Sequence, residues 1–331
     1  MATIRDVAKL AGVAVSTVSK VINHYPNVSA ETAERVNRAI DELQFTPNVV
    51  AASLSSKQSG RIALIINTSI QTSAIDEVSM KYLGGAIAKA QELHVDVVPI
   101  FFSMLEGKSE LEVENYFQSQ NVKGLVVYGM SKDDIVLQQV VERERFKSVL
   151  VDVPIVNDST SCISVDQLKA QKDVARKTIT ENNPSCGKVL YISGKHNGYV
   201  SEERLQGMQE LAKELNLEMS IFCGEFSERQ ARNITLEHGS EHDFIVCASD
   251  MMAIGAMRAL TDMDIFRPVC GFDGISLMGY AGKQMNTVKQ NFYEISSEAL
   301  AECVRLMSGS KGNKLVVPHE LVRLEYLDMI L

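Results

Sequence analysis

The chain has 331 residues, 45% of them apolar and 23% charged, with a formal net charge of −9. That length has room for two or three domains, and that composition excludes a largely disordered chain. No window approaches the roughly 18 uninterrupted apolar residues of a spanning helix. The N-terminus "MATIRDVAKLAG" is charged from its fifth residue and lacks the apolar core of a secretory signal, so a cytoplasmic protein without membrane partners is expected.

The charge is unevenly spread. Residues 1–30 hold Arg5, Lys9 and Lys20 against Asp6, a net of +2, whereas residues from 61 onward carry 27 basic and 37 acidic side chains, a net of −10. A mildly basic tip on an acidic body can still dock on phosphates, because the field fades within about 10 Å at moderate salt.

In chain order, Thr3 followed by Asp6 offers an N-cap and a capping-box acid before "IRDVAKLA". Ile4, Val7, Ala8 and Ala11 recur at helical spacing, and Gly12 is placed to stop the helix. A second helix follows in "VSTVSKVIN", with Val18, Val21 and Ile22 on one face and Val15, Ser16, Ser19, Lys20 and Asn23 on the other. Two short helices joined at Gly12-Val13-Ala14 make a helix-turn-helix. Ser29 caps a third, "AETAERVNRAIDELQF", whose Val36, Ala39, Ile40 and Leu43 cover the first two. A plain three-helix bundle has the same periodicity. The functional reading rests on the second helix's exposed face, which is small, hydroxylated and basic, with no acid between Asp6 and Glu31. Such a face can enter a major groove, where side chains meet base edges and phosphates.

"TIRDVAKLAGVAVSTVSKVIN", "NVSAETAERVNRAIDEL" and "TPNVVAASL" resemble, nearly position for position, the DNA-binding head and hinge of the lactose-repressor family of bacterial transcription regulators. The resemblance implies that Val15 and Ser16 read bases, with Lys20 where Arg is usual. Thr3, Thr17, Ser19, Asn23 and Ser29 match positions that the family uses for phosphates or helix caps. Lys at 20 gives up the bidentate fork that Arg offers guanine, and Ala14 replaces a common Ser, removing a cap worth about 1 kcal/mol. In "TPNVVAASLSS", Pro47 presets a first turn, yet a helix this short is marginal alone, being below the roughly 12–15 residues that water tolerates. The resemblance assigns it to the hinge at 46–60, with Asn48 and Ala51 near DNA and Leu54 wedged at a central minor-groove step when two copies pack together.

From Arg61 the pattern becomes strand and helix in alternation. Strands are read in "RIALIIN", "VDVVPIFF", "GLVVYG", "SVLVDV", "CISVD", "KVLYIS", "SIFCGEF", "FIVCAS", "PVCGFD" and "NTVKQN", with helices such as 78–93, 133–144, 167–182, 201–215, 250–262 and 292–307 between them. Such alternation implies parallel sheets covered on both faces. About ten strands exceed one comfortable sheet, so the expected architecture is an all-α head at 1–45 and a two-lobed α/β core at 61–331. The lobes are taken as 61–161 plus 292–320 and 162–291, the second starting near Cys162 and the two looking like related halves.

Ligands of open parallel sheets sit beyond the carboxyl ends of the strands. The polar residues there are Asn67, Thr68, Ser69, Asp152, Asp166, Ser193, Ser249, Asp250 and Asp273, joined by Arg204 on "SEERLQGM". Each of the short ones is equally readable as a helix cap, and Asp250 is assigned as one. Arg204, a long cation facing carboxylates, suits a polyhydroxylated ligand. The resemblance extends over "VKGLVVYG", "RLQGM", "CASDMMAIGAMRAL", "VCGFDGISL" and "NTVKQN" to the family's periplasmic-binding-protein-like effector core. It places Arg204 and Asp273 as principal effector contacts, Ser249 where Asn is usual, and Asp152 and Asn67 on the first-lobe side. "NTSIQTSAID" replaces the family's aromatic-bearing signature and Asp152-Val153 its Asp-Arg pair, so neither sugar stacking nor a second cation is read here.

No Gly-rich phosphate loop, no GxSxG elbow and no paired metal spacing among His24, His94, His196, His238, His242 and His319 is present, so no catalytic residue, metal or cofactor is expected. Cys162, Cys186, Cys223, Cys247, Cys270 and Cys303 lack any metal or redox spacing and read as free thiols. The family implies a homodimer on a pseudo-palindromic double-stranded operator, controlled by a small-molecule effector, a sugar or sugar phosphate. Co-repression, or response to a non-sugar metabolite or a partner protein, stands as the alternative. The C-terminal "LVVPHELVRLEYLDMIL" has no heptads for a tetramer.

Overall fold

The computed structural model describes residues 2–22, 28–43, 45, 60–67, 77–182, 187–282 and 284–325. They fall into two compact units, Met1–Ser59 and Gly60–Leu331.

The first unit contains α1 (Ile4–Ala11), α2 (Val15–Ile22) and α3 (Ala30–Glu42). The cap at Thr3 is reciprocal: the Thr3 amide donates to the Asp6 carboxylate at 2.8 Å, and the Asp6 amide donates to Thr3 Oγ1 at 3.4 Å. Gly12 ends α1 in the left-handed region (φ 63°), which a residue with a Cβ enters at a cost, and its amide donates to Ala8 O. The buried core is Val7, Ala8, Ala11, Val18, Val21, Val36 and Ala39, the apolar stripes of the three helices facing one another.

The second unit is built on two six-stranded sheets. The first contains β1 (Arg61–Ile66), β2 (Val97–Phe101), β3 (Val122–Tyr128), β4 (Lys147–Val151), β5 (Thr160–Ser164) and β11 (Lys314–Val316), in the order β11-β5-β4-β3-β1-β2. The second contains β6 (Lys188–Ser193), β7 (Glu218–Cys223), β8 (Phe244–Cys247), β9 (Val269–Cys270), β10 (Asn286–Lys289) and β12 (Glu320–Arg323), in the order β12-β10-β9-β8-β6-β7. Every pairing is parallel except β10 with β12. The two orders superpose strand for strand, as expected of related halves. Helices cover both faces, so the central strands read as continuous apolar runs: Ile62 to Ile66 are all buried.

The helices are α4 (Glu77–Leu93), α5 (Glu110–Ser119), α6 (Ile135–Glu142), α7 (Gln167–Glu181), α8 (Tyr199–Leu215), α9 (Glu228–His238), α10 (Asp250–Asp262) and α11 (Phe292–Met307). Their bounds follow the sequence expectation closely where one was made; α5 and α9 were not singled out.

The lobe boundary needs correction. β5, expected to open the second lobe near Cys162, pairs with β4 (Leu150 opposite Cys162) and with β11, closing the first sheet. A strand followed by a helix reads as one unit in sequence, but here the chain crosses to the other lobe between them. It crosses back before α11 and a third time before β12.

α4 and α11 touch closely at a glycine. A Cβ on Gly85 would lie 2.1 Å from the backbone O of Tyr293, an atom that cannot swing aside. Gly85→Ala is therefore expected to force the helices apart and lower stability by about 1–3 kcal/mol, read as a reduced midpoint in denaturant melting.

Candidate functional site

On α2 the described side chains divide as the periodicity requires. Val18 and Val21 are buried, Thr17 and Ser19 are half-buried, and Val15, Ser16 and Lys20 are exposed. No acidic residue lies on this helix. Thr3 and Ser29 act as caps: Ser29 Oγ accepts from the Thr32 amide at the start of α3. Asn23, Asn48, Ala51 and Leu54 lie outside the described residues.

In the core, the cleft at the strand ends is organised by Arg204. It is 3% exposed, and its guanidinium lies over the Phe272 ring, 3.6 Å from the centroid. Nε donates to Gln167 Oε1 at 2.8 Å, Nη1 donates to Ala248 O at 2.5 Å, and Nη1 stands 3.8 Å from Asp273 Oδ1. Gln167 passes the contact across the lobes, its Nε2 donating to Asp152 Oδ1 at 2.8 Å. Gln290 Nε2 donates to Asp273 Oδ1 at 3.1 Å. Asp152 (φ 62°) and Asp273 (φ 126°) both have positive φ, so each strand ends in a turned residue, the Asp273 carboxylate standing beside the cation and that of Asp152 held by Gln167.

Of the expected contacts, Arg204, Asp152 and Asp273 thus come together. Asp250 is not the cap it is expected to be; Ser249 takes that place. Ser249 caps α10, its Oγ accepting from the Met252 amide. Asp250, assigned as the cap, is fully buried and accepts from the Gly274 amide at 2.7 Å, the Ile275 amide at 2.9 Å and Thr287 Oγ1 at 2.6 Å. A one-residue shift of the helix start turns the acid inward, towards a loop that is distant in sequence. Asn67 donates to Gly129 O at 3.3 Å and lines a first-lobe pocket of about 260 Å³ with Phe102, Leu105, Asp133 and Ile135, none of them in the Arg204 cluster.

Two residues were missed. Gln167 looked like ordinary helix sequence, and only the crossing between lobes makes it a bridge. Phe226 is half-buried in the left-handed region (φ 60°), and a Cβ on Gly194 would come 2.1 Å from its ring tip. It therefore brings the edge of an aromatic ring against Gly194 at the ends of β6 and β7. The signal was present in "SIFCGEF", where Gly224 breaks the strand before the aromatic residue.

The lobes touch on both sides of this cluster. The Lys132 amide donates to Asn197 O at 2.9 Å, Asn197 Nδ2 donates to Asp133 at 2.5 Å, and Lys132 Nζ donates to Glu202 at 2.6 Å. Across the cleft, Glu77 accepts from the Ser276 amide at 2.8 Å and from Ser276 Oγ at 2.9 Å.

Burial pushes the Asp152 carboxyl up to about 6, against the partial relief given by Arg204 and Gln167. Burial likewise raises Asp273 and Asp250 above the carboxylate range, with Arg204 opposing the rise in both. A raised carboxyl keeps its proton in the fold after the unfolded chain has released it, so stability falls as pH rises through that window. For Asp152 the window runs from 3.8 to about 6. Asp152→Asn keeps an acceptor for Gln167 and removes the titration. It is expected to match the parent chain near pH 3.5 and to be the more stable of the two at pH 7.5, read by paired denaturant melts.

A family profile described as bacterial regulatory proteins, lacI family, matches residues 3–48, and one described as periplasmic binding protein domain matches residues 70–311. The catabolite control protein A of Staphylococcus aureus is 27% identical over 337 residues, covering 98% of each chain. The HTH-type transcriptional regulator MalR of Streptococcus pneumoniae is 26% identical over 342 residues, covering 97% of each. The Lac repressor dimer bound to operator and the anti-inducer ONPF superposes with a TM-score of 0.81 at 24% identity, over 97% of this chain and 98% of that one. The transcriptional regulator CelR–cellobiose complex gives 0.70 at 23% identity, over 98% and 99%. These solved structures share the fold of this chain. With a core profile spanning both sheets and most of the chain, the chain belongs to the periplasmic binding protein domain family, and α1 to α3 form a lacI-family helix-turn-helix head joined to that two-lobed core.

Proposed function

We propose that this protein is a sequence-specific regulator, a repressor, of a carbohydrate-utilisation operon. It binds a pseudo-palindromic operator as a homodimer and releases it when a small molecule occupies the cleft between the lobes. The carrying observation is the buried Arg204, which stands 3.8 Å from the Asp273 carboxylate at a strand end and is linked through Gln167 to Asp152 of the opposite lobe. A ligand with several hydroxyls can replace these contacts in kind, and a ligand touching both lobes favours whichever arrangement gives it more contacts. Phe226, at the same strand ends, adds apolar surface beside the cleft. The names of relatives that speak of catabolite control and cellobiose support a carbohydrate.

Val15, Ser16 and Lys20 would face the major groove, with Thr17 and Ser19 on phosphates, and Asn23, Thr3 and Ser29 at the margins. Asn48, Ala51 and Leu54 would complete the DNA contacts from the hinge. One head reads only a few base pairs, so useful specificity needs two. The core offers a face for pairing: Met80 and Ile87, two helical turns apart on α4, are 64% and 45% exposed, and Leu277 and Tyr280 lie in the segment that begins at Ser276, bonded to Glu77 of the same helix. Nothing in this reading calls for catalysis.

The test is fluorescence anisotropy of the full-length protein on duplexes selected from a random pool. Lys20→Ala should weaken operator binding by about 1–3 kcal/mol and relax the base preference at the position it faces. Leu54→Ala should weaken operator binding with the dimer intact. Arg204→Lys should keep operator binding but lose most of the response to an active sugar, since Lys cannot serve Gln167, Ala248 and Asp273 at once. Failure of any duplex to outcompete random DNA at physiological salt would sink the DNA reading, and tightening by ligand would replace induction with co-repression.

A further inference from the structure

The strands of the first sheet begin on bases: β1 at Arg61, β3 with Lys123 at its second residue, β4 at Lys147 and β11 at Lys314. All pairings in this sheet are parallel and its order is β11-β5-β4-β3-β1-β2, so the four stand in one row along the edge opposite the cleft. Lys123 and Lys314 are exposed, and Arg61 and Lys147 half-buried. Among the described residues, none of the four forms an ion pair with a carboxylate; Lys147 Nζ donates instead to Ser159 Oγ at 2.8 Å. The acids at these strand starts are Asp158, which pairs with Lys311 at 3.2 Å, and Asp96 at the far β2 end. The turn before β4 balances itself, with Glu142 and Glu144 against Arg143 and Arg145.

The related half of the core shows that the fold does not require such a row. At the start of the second sheet Lys188 stands 3.8 Å from Glu218, and Asp243 accepts the amides of Gly187 and Lys188 at 2.8 Å each. Arg267 there is spent on the carbonyls of His242 and Ser240. The basic edge is also the one at which the chain enters from the head. The Arg61 amide donates to Asn121 O at 2.8 Å, and a Cβ on Gly60 would come 1.9 Å from Lys123 Cγ, so the lysine stem lies on the entry point itself. The joining segment 46–60 has no acid to neutralise the row and adds Lys57.

We propose that this edge of the core is a second DNA surface, on which Arg61, Lys123, Lys147 and Lys314 meet backbone phosphates of the duplex held by the head. The inference rests on the reading of the head as DNA-binding. Neighbouring strands are about 4.8 Å apart, so the row from Arg61 to Lys314 covers about 19 Å. One DNA strand places a phosphate every 3.4 Å or so along the axis, and a row of that length passes about five of them. Lysines on a sheet edge offer charge without the fork that reads a base, so the surface adds affinity and orientation but no sequence preference. The remainder of the core is acidic, with a net of −10 from residue 61 onward, and it turns away from DNA every face but this one. The Arg204 cleft lies at the other end of the strands, about 20 Å off along the seven residues of β3, so the two surfaces share no side chain.

The test is the salt dependence of binding by the full-length protein, on a duplex selected from a random pool and on a random duplex of equal length. Lys123→Gln, Lys147→Gln and Lys314→Gln are made singly and together, and the matching triple Lys→Arg protein keeps the charge. Each Gln replacement should lower the slope of log affinity against log salt by about 0.9 per protomer, on both duplexes alike. Over a rise from 50 to 200 mM salt, the triple Gln protein should lose about fortyfold less affinity per protomer than the parent. Its base preference and melting temperature should match the parent's, and the triple Arg protein should keep the parent's slope. Unchanged slopes in the triple Gln protein overturn the surface. A loss of affinity shared by the Gln and Arg proteins, or one confined to the selected duplex, also overturns it, since neither follows from phosphate contacts. A parent protein that prefers no duplex over random DNA would remove the operator reading instead, and the slopes on random DNA would still decide the edge.

Discussion

A guanidinium withdrawn from water must be met by acceptors, and that demand on Arg204 organises the core. Stripping a cation of its hydration costs several kcal/mol unless its donors are served, and no single element near Arg204 serves them all. One acceptor comes from α7, one from the backbone after β8, one from the turn after β9, and Phe272 lends a ring face. Because Gln167 stands on the first helix after the chain crosses between lobes, serving Arg204 also holds Asp152 of the first lobe. The cluster is therefore a junction of lobes before it is a binding site.

What holds the lobes beyond that junction is weak by comparison. Lys132 and Glu202 are 42% and 69% exposed at their side chains, and exposed pairs contribute at most about 1 kcal/mol. The hydrogen bonds of Asn197 with Asp133 and of Ser276 with Glu77 lie at exposed rims, where water competes for both partners. A ligand that adds a few well-made hydrogen bonds to each lobe is on the same scale as these rim contacts together. The balance between lobe arrangements is thus within reach of a small molecule, and by linkage any arrangement preferred on DNA alters the ligand's affinity by the same factor.

Local chemistry was legible in the sequence and long-range partnership was not. Thr3, Asp6 and Gly12 announce the ends of α1 because capping is decided within four residues. Buried strands such as "RIALII" declare themselves because both faces are apolar. Arg204 and Asp273 stand out as charged residues beside apolar segments. By contrast, the membership of β5 in the first sheet depends on β4 and on β11, the latter some 150 residues away. The inward turn of Asp250 depends on Gly274 and Ile275.

The strained ends of the cleft are themselves anchored, and the anchor leads outward. Asp273 holds φ 126° and is followed by Gly274 at φ 73°, where a Cβ would strike Lys289 Cα at 2.6 Å, so the turn admits little besides glycine. Asp250 fixes it from beneath by accepting the amides of Gly274 and Ile275. The next residue, Ser276, is the one that Glu77 of α4 grips from the other lobe. Only two residues, Gly274 and Ile275, therefore separate the carboxylate beside Arg204 from a contact between lobes, and α4 carries the exposed Met80 and Ile87 of the proposed pairing face. A ligand that pulls on Asp273 cannot move it freely against the Asp250 tether. A displacement there would pass along the turn to Ser276 and into α4, which would put the proposed effector site, the lobe contact and the proposed pairing surface on one short mechanical path.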